Sequence, residues 1–363
     1  MLKRKIAING ESWCKNLTGI ERVAHEVTEE LDCLVRQGEM ELVVPSNAQG
    51  LPALKNIKIV RLNHKAKIFP IWTQFVFQKY VIQNKAISLD FSNTCPFFTP
   101  GIEFLHDIYC ELYPKDFTSR REKLIRLYSV IMYKTIARRA KRIITVSEYS
   151  KKTITDTYKV NPERISVVYS GVGKYDEIKP DFSILERLSV PKDKEFYFTL
   201  GSLSLRKNLQ WIAEHASRYP EETFIVSGKP LKSIVQPEFE KFVNLKNVIF
   251  AGYLNDNEVK ALMQKCRAFI FPSYFEGFGI PPLEALAAGA KVIISDSSCL
   301  PEIYGNAAHY IDPENPNVDL NALLAEEVSS AAPILEKYTL KNTAARLYKV
   351  ICELNKKSSG SEP

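Results

Sequence analysis

The stretch Ala268–Ala288, AFIFPSYFEGFGIPPLEALAA, limits this chain to a small set of folds. Ala268–Phe271 is an uninterrupted apolar run with the length of a strand buried on both faces in a parallel sheet. A Pro- and Gly-rich loop follows from Pro272 to Pro282, then strong helix formers from Leu283 to Ala288. Strand, loop and helix in that order form the turn of an open α/β sheet where ligands bind, beyond the carboxyl ends of the strands. Gly277 and Gly279 let backbone N–H groups approach an anion closely, and the partial positive end of the helix points to the same place. Glu276 lies in the loop, and Glu284, eight residues on, lies near the start of the helix. Two carboxylates beside an anion site suit a ligand with both phosphate and hydroxyl groups, as a nucleotide sugar has. The competing reading is a Gly/Pro turn with a solvated acidic pair.

The rest of the chain repeats this alternation. Strand-like runs at Lys5–Asn9, Glu41–Val44, Ile57–Leu62, Ile87–Phe91, Ile102–Leu105 and Ile165–Ser170 are separated in places by helical stretches. A second round runs through Phe196–Leu200, Thr223–Ser227 and Val248–Phe250. The pattern predicts α/β architecture with parallel sheets covered by helices, and 363 residues are enough for two cores. Residues 174–193 carry scattered Pro, Asp and Lys with weak periodicity and are read as the interdomain segment.

The loop and its flanks, from Asn247 to Pro316, resemble the E-x7-E region of retaining glycosyltransferases, most closely family 4 (group 1). The resemblance implies a GT-B fold, two Rossmann-like domains with parallel sheets facing a central cleft. It implies an acceptor-side domain at 1–175, a nucleotide-sugar-binding domain at 176–337, and a helix at 338–356 crossing back to the first domain. Residues 357–363, within the run KKSSGSEP, are expected to be a disordered tail. By the same resemblance Glu276 holds the sugar hydroxyls, and Glu284 accepts hydrogen bonds from the ribose. Gly277, Phe278, Gly279 and Leu283 supply the loop and helix start around the diphosphate. Pro282 has no N–H, so one donor found in many relatives is missing and Leu283 has more to supply. Tyr253 and Leu254, in a turn after a strand, lie near the base, contacting it mostly through backbone groups.

The family pattern implies three further sites. In EFLHDIYCELYP, His106 sits at a strand end and is implied to contact the donor sugar, with Asp107 beside it; a packing histidine is the alternative. A metal cluster of His106, Asp107 and Cys110 lacks further ligands at suitable spacing. In GSLSLRKNL, Lys207 matches the diphosphate-binding lysine. Arg206 substitutes for the arginine that many members carry directly after the glycine, where this chain has Ser202. Cations just after a strand end suit a diphosphate, whereas solvated surface is the bland reading. Gly19, in TGIER, opens a helix and resembles the glycine loop of the first domain, with one glycine where many members have two.

Composition narrows the partners. The net charge of +7 is uneven: residues 1–170 hold 27 Lys/Arg against 17 Asp/Glu, the remainder 22 against 25. A basic first half suggests an anionic partner: a phosphorylated acceptor, an anionic membrane surface or nucleic acid. No helix-turn-helix, finger or RRM pattern supports the last, so nucleic acid is not expected. The stretch Ser119–Arg142 carries nine basic residues and one acid. Their wide spread around a helix reads as a poor interfacial helix, with a solvated helix covering the sheet as an equal reading. Seven scattered cysteines fit a reducing cytoplasm, no apolar run approaches the ~20 residues of a membrane span, and the N-terminus is not expected to be a secretory signal.

The expected activity is therefore retaining transfer of a sugar from a nucleotide-diphosphate sugar to a glycan or polyprenyl-diphosphate-linked acceptor. The setting is cell-surface polysaccharide synthesis in the cytoplasm, including the inner membrane face. No Asp-x-Asp triplet occurs, so no metal and no other cofactor is expected. A nucleotide-sugar epimerase on the same fold and a non-catalytic scaffold are the alternatives.

Overall fold

The computed structural model describes residues 2–15, 19–173, 175–191, 194–201, 204–228 and 245–357. The chain divides into two units, Met1–Gly171 with Tyr338–Pro363, and Val172–Lys337.

The first unit is built on a seven-stranded sheet: β1 (Ile6–Asn9), β2 (Met40–Val44), β3 (Lys58–Arg61), β4 (Ile87–Asp90), β5 (Ile102–Phe104), β6 (Arg142–Thr145) and β7 (Ile165–Val167). Its order is β3-β2-β1-β4-β5-β6-β7, and every pairing is parallel. Strands β1, β2 and β4 are buried along their whole length, because helices cover both faces of a parallel sheet. The helix Gly19–Asp32 buries Val23, Val27 and Leu31, as their spacing predicts. The last helix, Leu340–Lys357, packs against it within this unit. Gly171 permits that return, since a Cβ there would collide with the Thr339 and Leu340 backbone. Thr343 Oγ1 donates to the Tyr169 carbonyl at 2.9 Å close by.

The second unit holds a six-stranded sheet: β8 (Tyr197–Leu200), β9 (Phe224–Ser227), β10 (Val248–Gly252), β11 (Ala268–Phe271), β12 (Val292–Ser295) and β13 (His309–Ile311). The order is β10-β9-β8-β11-β12-β13, again all parallel. Tyr197, Phe224, Ile270 and Ile293 pack with Trp211 and Ile212 in one buried cluster, each apolar side chain of that size contributing roughly 1.5–3 kcal/mol.

Strand order determines where a ligand can sit. In each sheet one strand lies where the winding reverses: β1 between β2 and β4, and β8 between β9 and β11. At such a point the loops leaving two neighbouring strands diverge and open a crevice at their carboxyl ends.

Some local expectations are corrected. The described part of 174–193 is not a linker but part of the second unit. It carries the short helix Ser183–Arg187, whose Arg187 Nη1 pairs with Glu258 Oε1 at 2.5 Å on the helix Asp256–Lys265. The helix after β11 starts at Ile280 rather than Leu283. Pro281 and Pro282 are tolerated there because N–H groups in the first turn have no helical partner to lose. The basic helix spans Arg120–Arg139, and Arg142 opens β6 instead. Residues 358–363 and Ser202 lie outside the described residues.

Candidate active site

Neighbouring β8 and β11 bring together residues far apart in sequence. The turn after β8 places Arg206 and Lys207 in a short 3-10 segment, Leu205–Lys207. The loop after β11 carries Glu276. Arg206 Nη1 donates to Glu276 Oε2 at 2.9 Å, and Lys207 Nζ to Oε1 at 2.7 Å. The carboxylate thus holds one cation on each oxygen. The Lys207 ammonium also lies over the Phe271 ring, 4.5 Å from its centroid.

Backbone geometry fixes this arrangement. Asn208 is left-handed at φ 53°. Its Nδ2 donates to the carbonyls of Pro272 and Pro313, at 3.1 and 2.8 Å, tying the β8 turn to the loop after β11. Tyr274 N–H donates to the Arg206 carbonyl at 3.1 Å. The Glu276 N–H donates to Ser298 Oγ at 3.0 Å. Gly279 is required twice over. Its φ is +84°, and a Cβ would come within 2.6 Å of Leu300 Cδ2. The Tyr304 hydroxyl, buried and held well above its ordinary pKa by that burial, donates to the Gly279 carbonyl.

Glu276 is only 5 % exposed. Burial alone would raise its carboxyl, but the charges of Arg206 and Lys207 outweigh it and hold the pKa below the ordinary value. The group is therefore an ionised carboxylate at neutral pH, and a poor base. Gly277 and Phe278 are buried beside it. Leu283 is fully buried on the core side of the helix Ile280–Ala287, and Glu284 is half-buried on that helix. Tyr253 is exposed and Leu254 buried, just beyond β10.

The structure thus brings Arg206, Lys207 and Glu276 into direct contact, with Gly277 to Glu284 following on from the carboxylate. His106 and Gly19 belong to the other unit. His106 follows β5 and is buried, with Nε2 2.8 Å from the Phe91 carbonyl. A carbonyl only accepts, so Nε2 carries the proton. Burial lowers the His106 pKa, which keeps the ring neutral. Gly19 begins its helix at the surface, and a Cβ there would meet nothing within 4 Å among the described residues. Packing among the described residues does not explain that glycine.

One cluster went unread in the sequence. At the other reversal point, between β1 and β4, Asn9 Nδ2 donates to Asp90 Oδ2 at 2.7 Å. Thr73 Oγ1 and Lys15 Nζ each donate to Glu11 at 2.6 Å, and Trp72 Nε1 donates to Asn9 Oδ1 at 2.8 Å. Burial, then the charge of Glu11, pushes Asp90 up to about 7. The available signal was the acid closing the apolar run of β4, at a strand end where ligand sites gather. A raised carboxyl has a sign that can be checked. Between about pH 4 and 7 the folded form retains a proton that the unfolded chain releases, so stability falls as pH rises. Asp90→Asn, neutral throughout, should gain on the wild type from pH 5 to pH 8 by on the order of 1–4 kcal/mol. Thermal melts at the two pH values measure the gain, and a constant difference would refute the assigned proton.

Known proteins share this pattern across both units. The model for Glycosyltransferase Family 4 matches residues 17–173, and that for Glycosyl transferases group 1 matches residues 182–333. The chain belongs to the group 1 glycosyltransferases of the GT-B type. The O-antigen chain mannosyltransferase RfbU of Salmonella typhimurium is 31% identical over 64% of this chain and 62% of its own length. The serotype-specific mannosyltransferase WbdA of Escherichia coli is 33% identical over 46% of this chain and 22% of its own. The chain therefore spans less than two thirds of these relatives. The crystal structure of HepE from Anabaena in complex with UDP-glucose superposes with a TM-score of 0.63, covering 98% of both chains at 16% identity. That likeness establishes the fold.

Proposed function

We propose that the chain transfers a sugar from a nucleotide-diphosphate sugar to a glycan or polyprenyl-diphosphate-linked acceptor, with retention of configuration and no required metal. The observation that carries this reading is the Glu276 carboxylate buried between Arg206 and Lys207 at the carboxyl ends of β8 and β11. Two fixed cations beside a helix N-terminus can stabilise a departing nucleotide diphosphate. Glu276 faces the sugar and stabilises positive charge developing at the anomeric carbon. Glu284 accepts from the ribose hydroxyls, and neutral His106 keeps the sugar-contact role that the family pattern implies for it. The names of the relatives favour mannose as the sugar, and O-antigen or similar surface polysaccharide as the product. The reaction is placed in the cytoplasm, at the inner membrane face.

Retention is what the family resemblance implies, and a weak base at Glu276 is compatible with it. Glu276, clamped by two cations, is poorly suited to take a proton. The acceptor oxygen then attacks the anomeric carbon from the face the diphosphate leaves. The C–O bond to phosphate breaks as the new C–O bond forms, and the acceptor proton passes to a phosphate oxygen of the leaving group.

The test is nucleotide diphosphate release from GDP-mannose and other nucleotide sugars, with and without an acceptor glycan, and product anomeric configuration by NMR. Acceptor-dependent release with a retained α linkage is expected. Acceptor-independent release would instead fit an epimerase. Turnover should persist in EDTA because Arg206 and Lys207 carry the compensating charge. Complete loss in EDTA, restored by Mn²⁺, would remove metal independence.

A further inference from the structure

The helix Leu209–Arg218 begins two residues after Lys207 and presents a row of donors. Asn208, Trp211, His215 and Tyr219 recur at three and four residues, so they fall on one face. That face meets the loop 312–317, after β13, bond by bond. Beyond the Asn208 bond to Pro313, Trp211 Nε1 donates to the carbonyls of Asp312 and Asn315 at 3.0 and 3.1 Å. His215 Nδ1 lies 2.9 Å from the Pro316 carbonyl, and the Tyr219 hydroxyl donates to Asn317 Oδ1 at 3.3 Å. In all of these bonds the helix donates and the loop accepts.

His215 differs from the rest of the row because its bonds fix a protonation state. The side chain is fully buried. A carbonyl only accepts, so Nδ1 carries a proton. Nε2 lies 2.7 Å from Glu222 Oε2, and a bare ring nitrogen cannot face a carboxylate oxygen at that distance without a proton between them. Two features place that second proton on the ring. Trp211 and Tyr219 stack against it, with ring centroids 5.1 and 4.5 Å away and interplanar angles of 2° and 24°, presenting the faces that attract a cation. The ring also lies in the last turn of its helix, whose partial negative end favours positive charge. Asn247 Nδ2 donates to the Glu222 carbonyl at 2.8 Å and pins the turn that carries the carboxylate. Tyr197 on β8 feels the same carboxylate: burial first, then Glu222, hold its phenol well above the ordinary value, so it stays neutral. The other charges acting on Tyr197 are Arg267, Glu195 and Asp319, of which the first two pair with each other at 2.5 Å.

Asn208 connects this row to the candidate donor site. It follows Lys207 directly, and its side chain joins Pro313 to Pro272, in the loop that carries Glu276. We propose that His215 is a positioning residue for the nucleotide-binding turn. Its second proton locks the loop 312–317 against the helix, and through Asn208 that loop holds Arg206 and Lys207 in place. Losing the proton sets a nitrogen lone pair against the Glu222 carboxylate, which loosens the helix from Pro316 and lets the turn drift. Nucleotide affinity then falls as pH rises, by a route that does not touch the reacting atoms. The inference rests on the reading of Arg206 and Lys207 as the diphosphate cations, and its test separates the two.

The experiment pairs nitrogen NMR of the histidine rings with calorimetry of GDP and UDP binding across a pH series. In the wild type both His215 nitrogens should show the protonated shift at neutral pH, and affinity for the nucleotide that binds should drop at least about fivefold as that signature is lost on the alkaline side. Glu222→Gln is the conservative variant. Its amide can donate to a bare Nε2, so the row stays bonded with a neutral ring, and affinity should match the wild type at neutral pH without the alkaline drop. Titration of the nucleotide itself is common to both proteins and cancels between them. A single ring proton in the wild type, or parallel pH profiles for the wild type and Glu222→Gln, would overturn the positioning role alone. A wild type that binds neither nucleotide at any pH would overturn the donor-site reading and the positioning role with it.

Discussion

Replacing Glu276 with alanine should lower kcat by about 100- to 1,000-fold, the range for losing a fixed electrostatic contact to a transition state. Affinity for free nucleotide diphosphate should hold or rise. Each Glu276 oxygen engages a cation, Arg206 or Lys207. A diphosphate must share or displace those contacts, so removing the carboxylate unmasks both cations for the leaving group. Glu276→Gln keeps the shape and one acceptor while removing the charge, and isolates the electrostatic part. Glu284→Ala should behave oppositely. It deletes charge-assisted hydrogen bonds made to the ribose in ground and transition states alike, costing roughly 1.5–3 kcal/mol of nucleotide affinity. Calorimetry with GDP and UDP, together with steady-state kinetics on all three variants, separates the roles. Equal loss of nucleotide affinity in Glu276→Ala and Glu284→Ala would show the division to be wrong.

The second large effect is expected at Lys207. Lys207→Met keeps the length of the side chain and its contact with Phe271, but removes the ammonium. Donor affinity should fall by about 10- to 100-fold, the worth of one or two charge-assisted bonds. The loss also acts on Glu276, which stays buried with Arg206 as its remaining cationic partner among the described residues. Burial raises this carboxyl and the cations lower it, so losing one cation moves its pKa upward. The acid limb of kcat/KM should shift to higher pH. Stability moves by the same linkage. A depressed carboxylate pKa stabilises the fold above the unfolded value of 4.5, and that contribution is lost as pH falls through the folded pKa. The wild type should therefore exceed Lys207→Met by up to about 3 kcal/mol at pH 7, with the gap closing toward pH 3. An unmoved acid limb with weakened donor binding would separate Lys207 from the ionisation of Glu276.

The part of the site legible in the sequence is the part that is contiguous. β11, its loop and the helix Ile280–Ala287 are consecutive, so strand length, glycines and paired glutamates could be read together. The two cations could be read as a separate site after β8, but not their bonds to Glu276. Those bonds depend on β8 lying beside β11, with β9 and β10 on the far side, and local pattern carries no strand order. The network of Asn9, Glu11, Thr73 and Asp90 escaped for the same reason, being drawn from separate segments of the first unit. Ser183–Arg187 looked like linker because one turn of helix has too few residues to show a period. Its place is set by Arg187 reaching Glu258, 71 residues away.

The adjacency of β8 and β11 also determines when in folding this site can exist. Lys207 and Glu276 are 69 residues apart, and they meet through a parallel pairing that skips the two intervening strands. Such long-range pairings close late, because the entropy of the intervening chain must be overcome first. A second unit with β8 through β10 assembled but β11 undocked would hold both cations without their carboxylate partner. Ligands that engage Arg206, Lys207 and the helix start together would bind only after the last crossover has formed. Nucleotide binding would then act as a checkpoint on the finished sheet, drawing the population away from partly wound intermediates by mass action.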